Sequence, residues 1–149
     1  MKLAIASDHG GLHLKKAILQ YLQSQNIDLI DLGITEEQSV DYPDYAAEVA
    51  QRVSTGMVDA GILVCGTGTG MAITANKFKG VRAAVASDPY TARMSKEHNN
   101  ANILALGGRV LSEEKGLEVL KAWLEAKFEG ERHARRVEKI TEIEKKNFR

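Results

Sequence analysis

Residues 64–71, VCGTGTGM, place the chain's single cysteine directly before glycines that alternate with threonines. The apolar run DAGILV upstream reads as a buried strand, and MAITANK downstream reads as a helix. Cys65 therefore stands where a strand ends and a turn feeds a helix N-terminus. Unpaired backbone N–H groups and positive dipole gather at such a place, attracting anions and favouring a thiolate. A lone cysteine is usually a small buried hydrophobe. This position instead predicts a partly exposed thiol able to act as nucleophile or general base. Gly66, Gly68 and Gly70 permit tight turning and let N–H groups converge on a small anion. A dinucleotide fingerprint would need its third glycine where Ile73 stands, and the GK[ST] of a phosphate-binding P-loop is missing.

Three other segments carry chemistry-bearing side chains. SDHGG sets Asp8 beside His9 after the first strand. His13 follows His9 at i+4, but no HxH and no carboxylate cluster completes a ligand set, so no metal is expected. EHNNANILALGGR contributes His98, Asn99 and Arg109, although asparagines also simply end helices and start turns. In RHARR, Arg132 and Arg136 share a helical face at i,i+4, a spacing that suits a phosphate held by two guanidinium groups. Ordinary surface charge is the alternative, and that pair alone does not decide.

These residues must be positioned by the elements around them. KLAIAS, IDLIDL, AGILVC, VRAAVAS and NILALG read as five strands. Between them lie a helix over residues 11–25 with Leu14, Ile18, Tyr21 and Leu22 on one face, and a helix opened by Pro43 with Tyr45, Ala46, Val49, Ala50 and Val53 inward. Further helices follow the glycine loop and Pro89, and Leu117, Leu120, Leu124 and Phe128 form another helical stripe. The terminal ERHARRVEKITEIEKKNFR reads as a solvated helix with a thin seam of Val137, Ile140 and Ile143, held by i,i+4 ion pairs. Strand–helix alternation with buried strands predicts a three-layer α/β/α domain over residues 1–149, Rossmann-like, with an open five-stranded parallel sheet and a C-terminal helical segment. Ligands of such sheets lie beyond the strands' carboxyl ends, which places SDHGG, CGTGTGM, SDPY and GGR along one edge.

Bulk composition narrows the classes. Twenty basic and twenty acidic residues cancel, so the electrostatic footprint of a nucleic-acid binder is missing. One cysteine allows no internal disulfide and no cysteine-built zinc site. The start, MKLAIASDHG, turns polar after a few apolar residues and reads as neither signal peptide nor membrane span, so a cytoplasmic protein without a membrane partner is expected.

Taken together, SDHGG, DYPDYA, GILVCGTGTGMAITANKFKGVRAA, HNNANILALGGRV and RHARRVEKI resemble ribose-5-phosphate isomerases of the B type, in order and spacing over nearly the whole chain. Galactose-6-phosphate isomerase subunits form a related branch, and some B-type members resemble allose-6-phosphate isomerases. The resemblance implies interconversion of ribose 5-phosphate and ribulose 5-phosphate in pentose-phosphate metabolism, through a cis-enediolate and without metal or cofactor. By the same resemblance, Cys65 moves the proton, the N–H groups of Gly66, Thr67, Gly68, Thr69 and Gly70 and the Thr67 hydroxyl hold the enediolate oxygens, and His98 with Asp8 opens the furanose. Asn99 and Tyr42 contact the substrate, while His9, Arg109, Arg132 and Arg136 hold its phosphate. A hexose-6-phosphate isomerase, or a sugar-phosphate sensor on the same fold, is the competing reading.

Topology adds one expectation. The helix from Pro89 runs back antiparallel to the strands. Its ~15 Å length matches the ~17 Å of a five-residue strand, so His98 and Asn99 should lie a sheet height from Cys65 of the same chain. A homodimer with shared sites reconciles that distance with a common substrate, and further pairing into tetramers is left open.

Overall fold

β1 (Lys2–Ser7), β3 (Ala60–Cys65) and β5 (Ile103–Gly107) are apolar runs buried along almost their whole length. Strands hidden on both faces need helices above and below, and a parallel sheet supplies them through its crossovers. In the computed structural model, which describes residues 1–148, these strands form the middle of an all-parallel sheet ordered β2-β1-β3-β5-β4. The short β2 (Asp28–Asp31) and β4 (Ala83–Val85) are its edges. The helices are α1 (Leu12–Ser24), α2 (Tyr42–Ser54), α3 (Thr69–Ala75), α4 (Pro89–Glu97), α5 (Glu113–Glu125) and α6 (Arg132–Asn147). The expected three-layer arrangement is the one found.

Alternation along the strands divides the core in two. Leu3, Ile5, Ile62, Val64, Leu104 and Leu106 face Leu14, Ile18 and Leu22 of α1, Ala92 of α4 and Val119, Leu120 and Trp123 of α5. Ala4, Ala6, Leu63, Cys65, Ile103 and Ala105 face Val49, Ala50 and Val53 of α2 and Met71, Ala72 and Ala75 of α3. The second face carries smaller residues so that α2 can approach: a Cβ on Gly61 would stand 2.4 Å from Val49 Cγ1. Pro43 and Pro89 both occupy first turns, where their missing N–H costs no hydrogen bond.

Three details depart from the sequence reading. The fourth strand is confined to Ala83–Val85, because Arg82 instead bonds Asn102 through both its N–H and its carbonyl, and α4 begins at Pro89. The inward face of α5 is Gly116, Val119, Leu120 and Trp123. Leu117 and Leu124 are only partly buried, and Phe128 lies beyond the helix, which ends where Ala126 turns extended. Finally, α6 is tied down near both ends, by His133 against His98 and by Glu144, rather than by i,i+4 ion pairs along its length. The Glu144 carboxylate accepts the Gly80 N–H at 3.0 Å, with Ile140 and Ile143 left exposed.

The sequence gives no hint that Lys15 is buried. Its ammonium donates to Asp31 Oδ1 at 2.7 Å and to the Ile34 carbonyl at 2.6 Å, tying the segment after β2 to α1. A buried charge survives only with such partners.

The first turn of α1 rests directly on β3. A Cβ on Gly11 would lie 2.2 Å from the Val64 carbonyl oxygen. Gly11→Ala is therefore expected to lower stability by about 1–3 kcal/mol through overpacking, read as an earlier urea midpoint. An unchanged midpoint would mean that this turn lifts off the sheet freely.

Candidate active site

The carboxyl ends of β1, β3 and β5 lie side by side because Ser7 pairs with Val64 and Cys65 pairs with Gly107. The loops leaving them touch through glycines. A Cβ on Gly10 would stand 3.0 Å from the Gly66 nitrogen, one on Gly107 2.9 Å from the Thr67 carbonyl oxygen, and one on Gly108 2.5 Å from the Gly10 carbonyl oxygen. Backbone bonds fasten the contact: Asp8 N–H donates to Val64 O at 3.2 Å, Gly108 N–H to Cys65 O at 2.7 Å and Arg109 N–H to Gly66 O at 3.0 Å.

Cys65 is buried, with 4% of its surface exposed, which corrects the expectation of a partly exposed thiol. The loop folds over it: Gly68 turns back at φ 84° and donates its N–H to Cys65 Sγ at 3.2 Å. Only glycine fits there, since φ is positive and a Cβ would press on the Leu106 backbone at 3.0 Å. Thr69 N–H goes to Thr67 Oγ1 at 3.3 Å. Two of the N–H groups expected to face a ligand are therefore spent inside the loop. Thr67 itself is exposed, and its hydroxyl accepts from Thr69 while keeping a proton to donate.

Around this loop stand the other residues of the same edge. The Tyr42 ring covers Gly70, where a Cβ would come within 2.4 Å of Tyr42 Cε1. Arg109 lies across Gly66, its Nη1 at 3.3 Å from the position of a Cβ there. Asp8 Oδ1 accepts the N–H groups of Gly10 and Gly11 at 2.9 and 3.2 Å, shaping its own loop. His9 Nδ1 accepts the Val40 N–H at 3.2 Å, so Nε2 carries the ring proton.

His98, Asn99, Arg132 and Arg136 are elsewhere. His98 caps the C-terminus of α4, and the chain then enters β5 at Ile103, which pairs with Gly61 at the far end of β3 from Cys65. Four strand residues span ~13 Å, so the two groups lie on opposite edges of the sheet. Arg132 and Arg136 project from the first turns of α6 and are exposed. Between them His133 stacks on His98, ring centroids 4.0 Å apart and planes 7° from parallel.

Sequence reasoning missed His133 and Glu129. Glu129 is pinned by its N–H to the Glu97 carbonyl at 3.0 Å, at the end of α4. Its Oε1 stands 3.4 Å from His98 Nε2 and 3.5 Å from His133 Nε2. His133 is buried and its Nε2 has no hydrogen-bond partner. Desolvation, helped by the His98 and Arg132 charges and opposed by Glu129, pushes its pKa below the ordinary histidine value. The histidine within RHARR was visible in the sequence; its meeting with His98 depends on how α6 returns to α4.

A cavity of about 540 Å³ is lined by Val81, Ala83, Asn99, Ala101, Ile140 and Ile143, so of the expected site residues it holds only Asn99. It is an apolar groove between α6 and the β4 edge.

One edge thus offers a thiol, a carboxylate and loop donors, suited to proton transfer beside a carbonyl. The other offers an imidazole and two guanidinium groups, suited to an anion. Fold and half-sites define a Rossmann-like α/β protein whose edges carry groups suited to a small anionic molecule. Comparison with known proteins narrows this. The Ribose/Galactose Isomerase family matches residues 3–140. Ribose-5-phosphate isomerase B of Escherichia coli is 48% identical over 145 residues, 97% of each chain. The structure of Clostridium thermocellum ribose-5-phosphate isomerase B superposes with a TM-score of 0.96 at 53% identity, covering 98% of this chain and 99% of that one. The Mycoplasma genitalium enzyme, solved with bound ribulose-5-phosphate, gives 0.95 at 42% identity, with 98% and 97% covered. The chain belongs to the ribose/galactose isomerase family, in its ribose-5-phosphate isomerase B branch, and is an isomerase. Among the described residues no helix is long and apolar enough to cross a membrane.

Burial of Cys65 has a direct readout. Ellman's reagent is expected to label it on the order of tenfold more slowly in the native protein than in urea. Equal rates would mean that the glycine loop opens readily.

Proposed function

We propose that this isomerase interconverts D-ribose 5-phosphate and D-ribulose 5-phosphate. The observation that carries the reading is the likeness to the Mycoplasma genitalium enzyme with bound ribulose-5-phosphate, over nearly all of both chains. A phosphorylated sugar also fits the two half-sites, which offer proton-transfer groups on one side and arginines on the other.

In the proposed reaction His98 and Asp8 open the furanose by moving a proton between the ring oxygen and the anomeric hydroxyl. The Cys65 thiolate then takes the proton from C2 of the aldose and returns it to C1, while the hydroxyl proton passes from O2 to O1. The intermediate is a cis-enediolate. The N–H that Gly68 donates to Cys65 Sγ supports this role, because a hydrogen bond to sulfur stabilises negative charge there. With Gly68 and Thr69 committed inside the loop, the Thr67 hydroxyl and the N–H groups of Gly66, Thr67 and Gly70 are left to stabilise the enediolate oxygens. Tyr42 and Asn99 line the substrate, and His9, Arg109, Arg132 and Arg136 hold its phosphate. No step requires a metal or a cofactor.

Assay of the purified protein with ribose 5-phosphate, beside allose 6-phosphate and galactose 6-phosphate, tests the substrate class. Preference for a hexose would move the chain to the other substrates that the family's description covers. Cys65→Ser is expected to lose about 10²–10⁴ in turnover while still binding substrate. Near-native turnover would remove the thiol from the mechanism.

The separation of His98 from Cys65 supports a second element of the reading: a two-fold homodimer whose sites combine Cys65 of one chain with His98 of the other. Cys65→Ala and His98→Ala homodimers should each be nearly inactive, whereas co-refolded heterodimers regain one working site of two. Heterodimers as inactive as their parents would place both residues' action within one chain.

A further inference from the structure

We propose that His98, Glu129 and His133 form a binding site for Zn²⁺ and chemically similar divalent transition metals, and that occupancy inhibits the isomerase by withdrawing His98. The inhibitory half of this statement rests on the ring-opening role proposed for His98; the binding half does not.

Distances carry the argument first. Glu129 Oε1 stands 3.4 and 3.5 Å from the Nε2 atoms of His98 and His133. Good N–H···O hydrogen bonds are shorter, ~2.7–3.2 Å. Yet two ligands bound at ~2.1 Å to a tetrahedral ion lie ~3.4 Å apart. Two edges of such a tetrahedron are therefore already set. All three ligand atoms fall within 4.8 Å of one another, but the in-plane lone pairs of stacked rings run parallel, so closing the remaining edge takes a rotation of one imidazole out of the stack. His98, partly exposed at the end of α4, is the side chain free to make it.

The second observation is independent. His133 is more than nine-tenths buried and its Nε2 has no hydrogen-bond partner, the shared carboxylate standing 3.5 Å away. Buried polar atoms seldom remain unpaired without a reason. The stack keeps the two imidazoles adjacent without aiming both lone pairs at one point, and the Glu129 N–H anchored on Glu97 keeps the carboxylate in reach of His133 and of a rotated His98. Two imidazoles and one carboxylate are the donor set of a zinc site with an open fourth position. They favour Zn²⁺, Cu²⁺, Ni²⁺ or Co²⁺ over Mg²⁺. Arg132 and Arg136 flank the site and weaken cation binding, but both are exposed and project into solvent, where the repulsion is screened. Once coordinated, His98 Nε2 has no lone pair or proton to exchange with a sugar.

Co²⁺ added to the metal-free full-length protein is expected to develop the intense visible d–d bands of a four-coordinate ion, saturating at about one ion per chain. Glu129→Gln, a substitution at a half-exposed position, should abolish the bands and keep the isomerase activity; His133→Gln should abolish the bands as well. Cys65→Ser should retain them, whatever its turnover. With ribose 5-phosphate as substrate, Zn²⁺ should lower wild-type activity on the order of tenfold, reversibly with EDTA, and leave Glu129→Gln unaffected; Mg²⁺ should do nothing. Absence of d–d bands in the wild type overturns the proposal. So do bands that survive Glu129→Gln but vanish in Cys65→Ser, which would put the ion on the thiol. Cobalt bands of the expected kind in a protein inactive on every sugar phosphate would instead sustain the site and overturn the proposed reaction.

Discussion

Parallel pairing of β1, β3 and β5 in a fixed register sets Ser7 beside Val64 and Gly107 beside Cys65, and the rest of the site depends on that alignment. Three chain segments leave the sheet within a few ångströms of one another, a spacing set by the ~4.8 Å between hydrogen-bonded strands. At such closeness a Cβ has no room, so Gly10, Gly107 and Gly108 are where backbone meets backbone. The cross-loop bonds from Asp8, Gly108 and Arg109 then lock the three exits into one floor. Rigidity of that floor is useful for catalysis, because donors fixed in advance need not reorganise as charge develops.

The glycine loop turns this constraint into a chemical environment. Because Gly68 can adopt a left-handed conformation, its N–H reaches back to Cys65 Sγ and the sulfur is covered. Coverage and donation belong to the same turn, so the thiol that lies buried is also the one supplied with a hydrogen bond. The neighbouring Thr67–Thr69 contact exposes one hydroxyl at the loop's tip.

The far edge obeys a different logic. A helix crossing back from a strand must return to the sheet's other side, and α4 therefore delivers His98 beside the start of β5. There α6 meets it, with His133 against His98 and Glu129 bonded to the last turn of α4. The stack on a second imidazole holds the His98 ring in orientation. The separation of the two edges is a property of the crossover, and no side-chain rotation within one chain removes it.

Much of this was legible before any coordinates. Alternating apolar runs and amphipathic stretches determined five strands and the helices between them, because burial on both faces leaves a continuous apolar pattern that a single sequence displays. Asp8, His9, Cys65 and Arg109 could be assigned to one edge by the rule that loops after parallel strands share a side. What the sequence left undecided depends on contacts between distant segments. The exposure of Cys65 turned on one N–H from a left-handed glycine, and the limits of β4 turned on Asn102 taking the bonds of Arg82. The partnership of His98, Glu129 and His133 exists only because α6 packs back on α4, and Lys15 is buried only because Asp31 and Ile34 receive its charge. Local periodicity encodes which residues leave water; which polar groups then meet is settled by tertiary packing, since their pairing energies depend on distances that no short stretch of sequence contains.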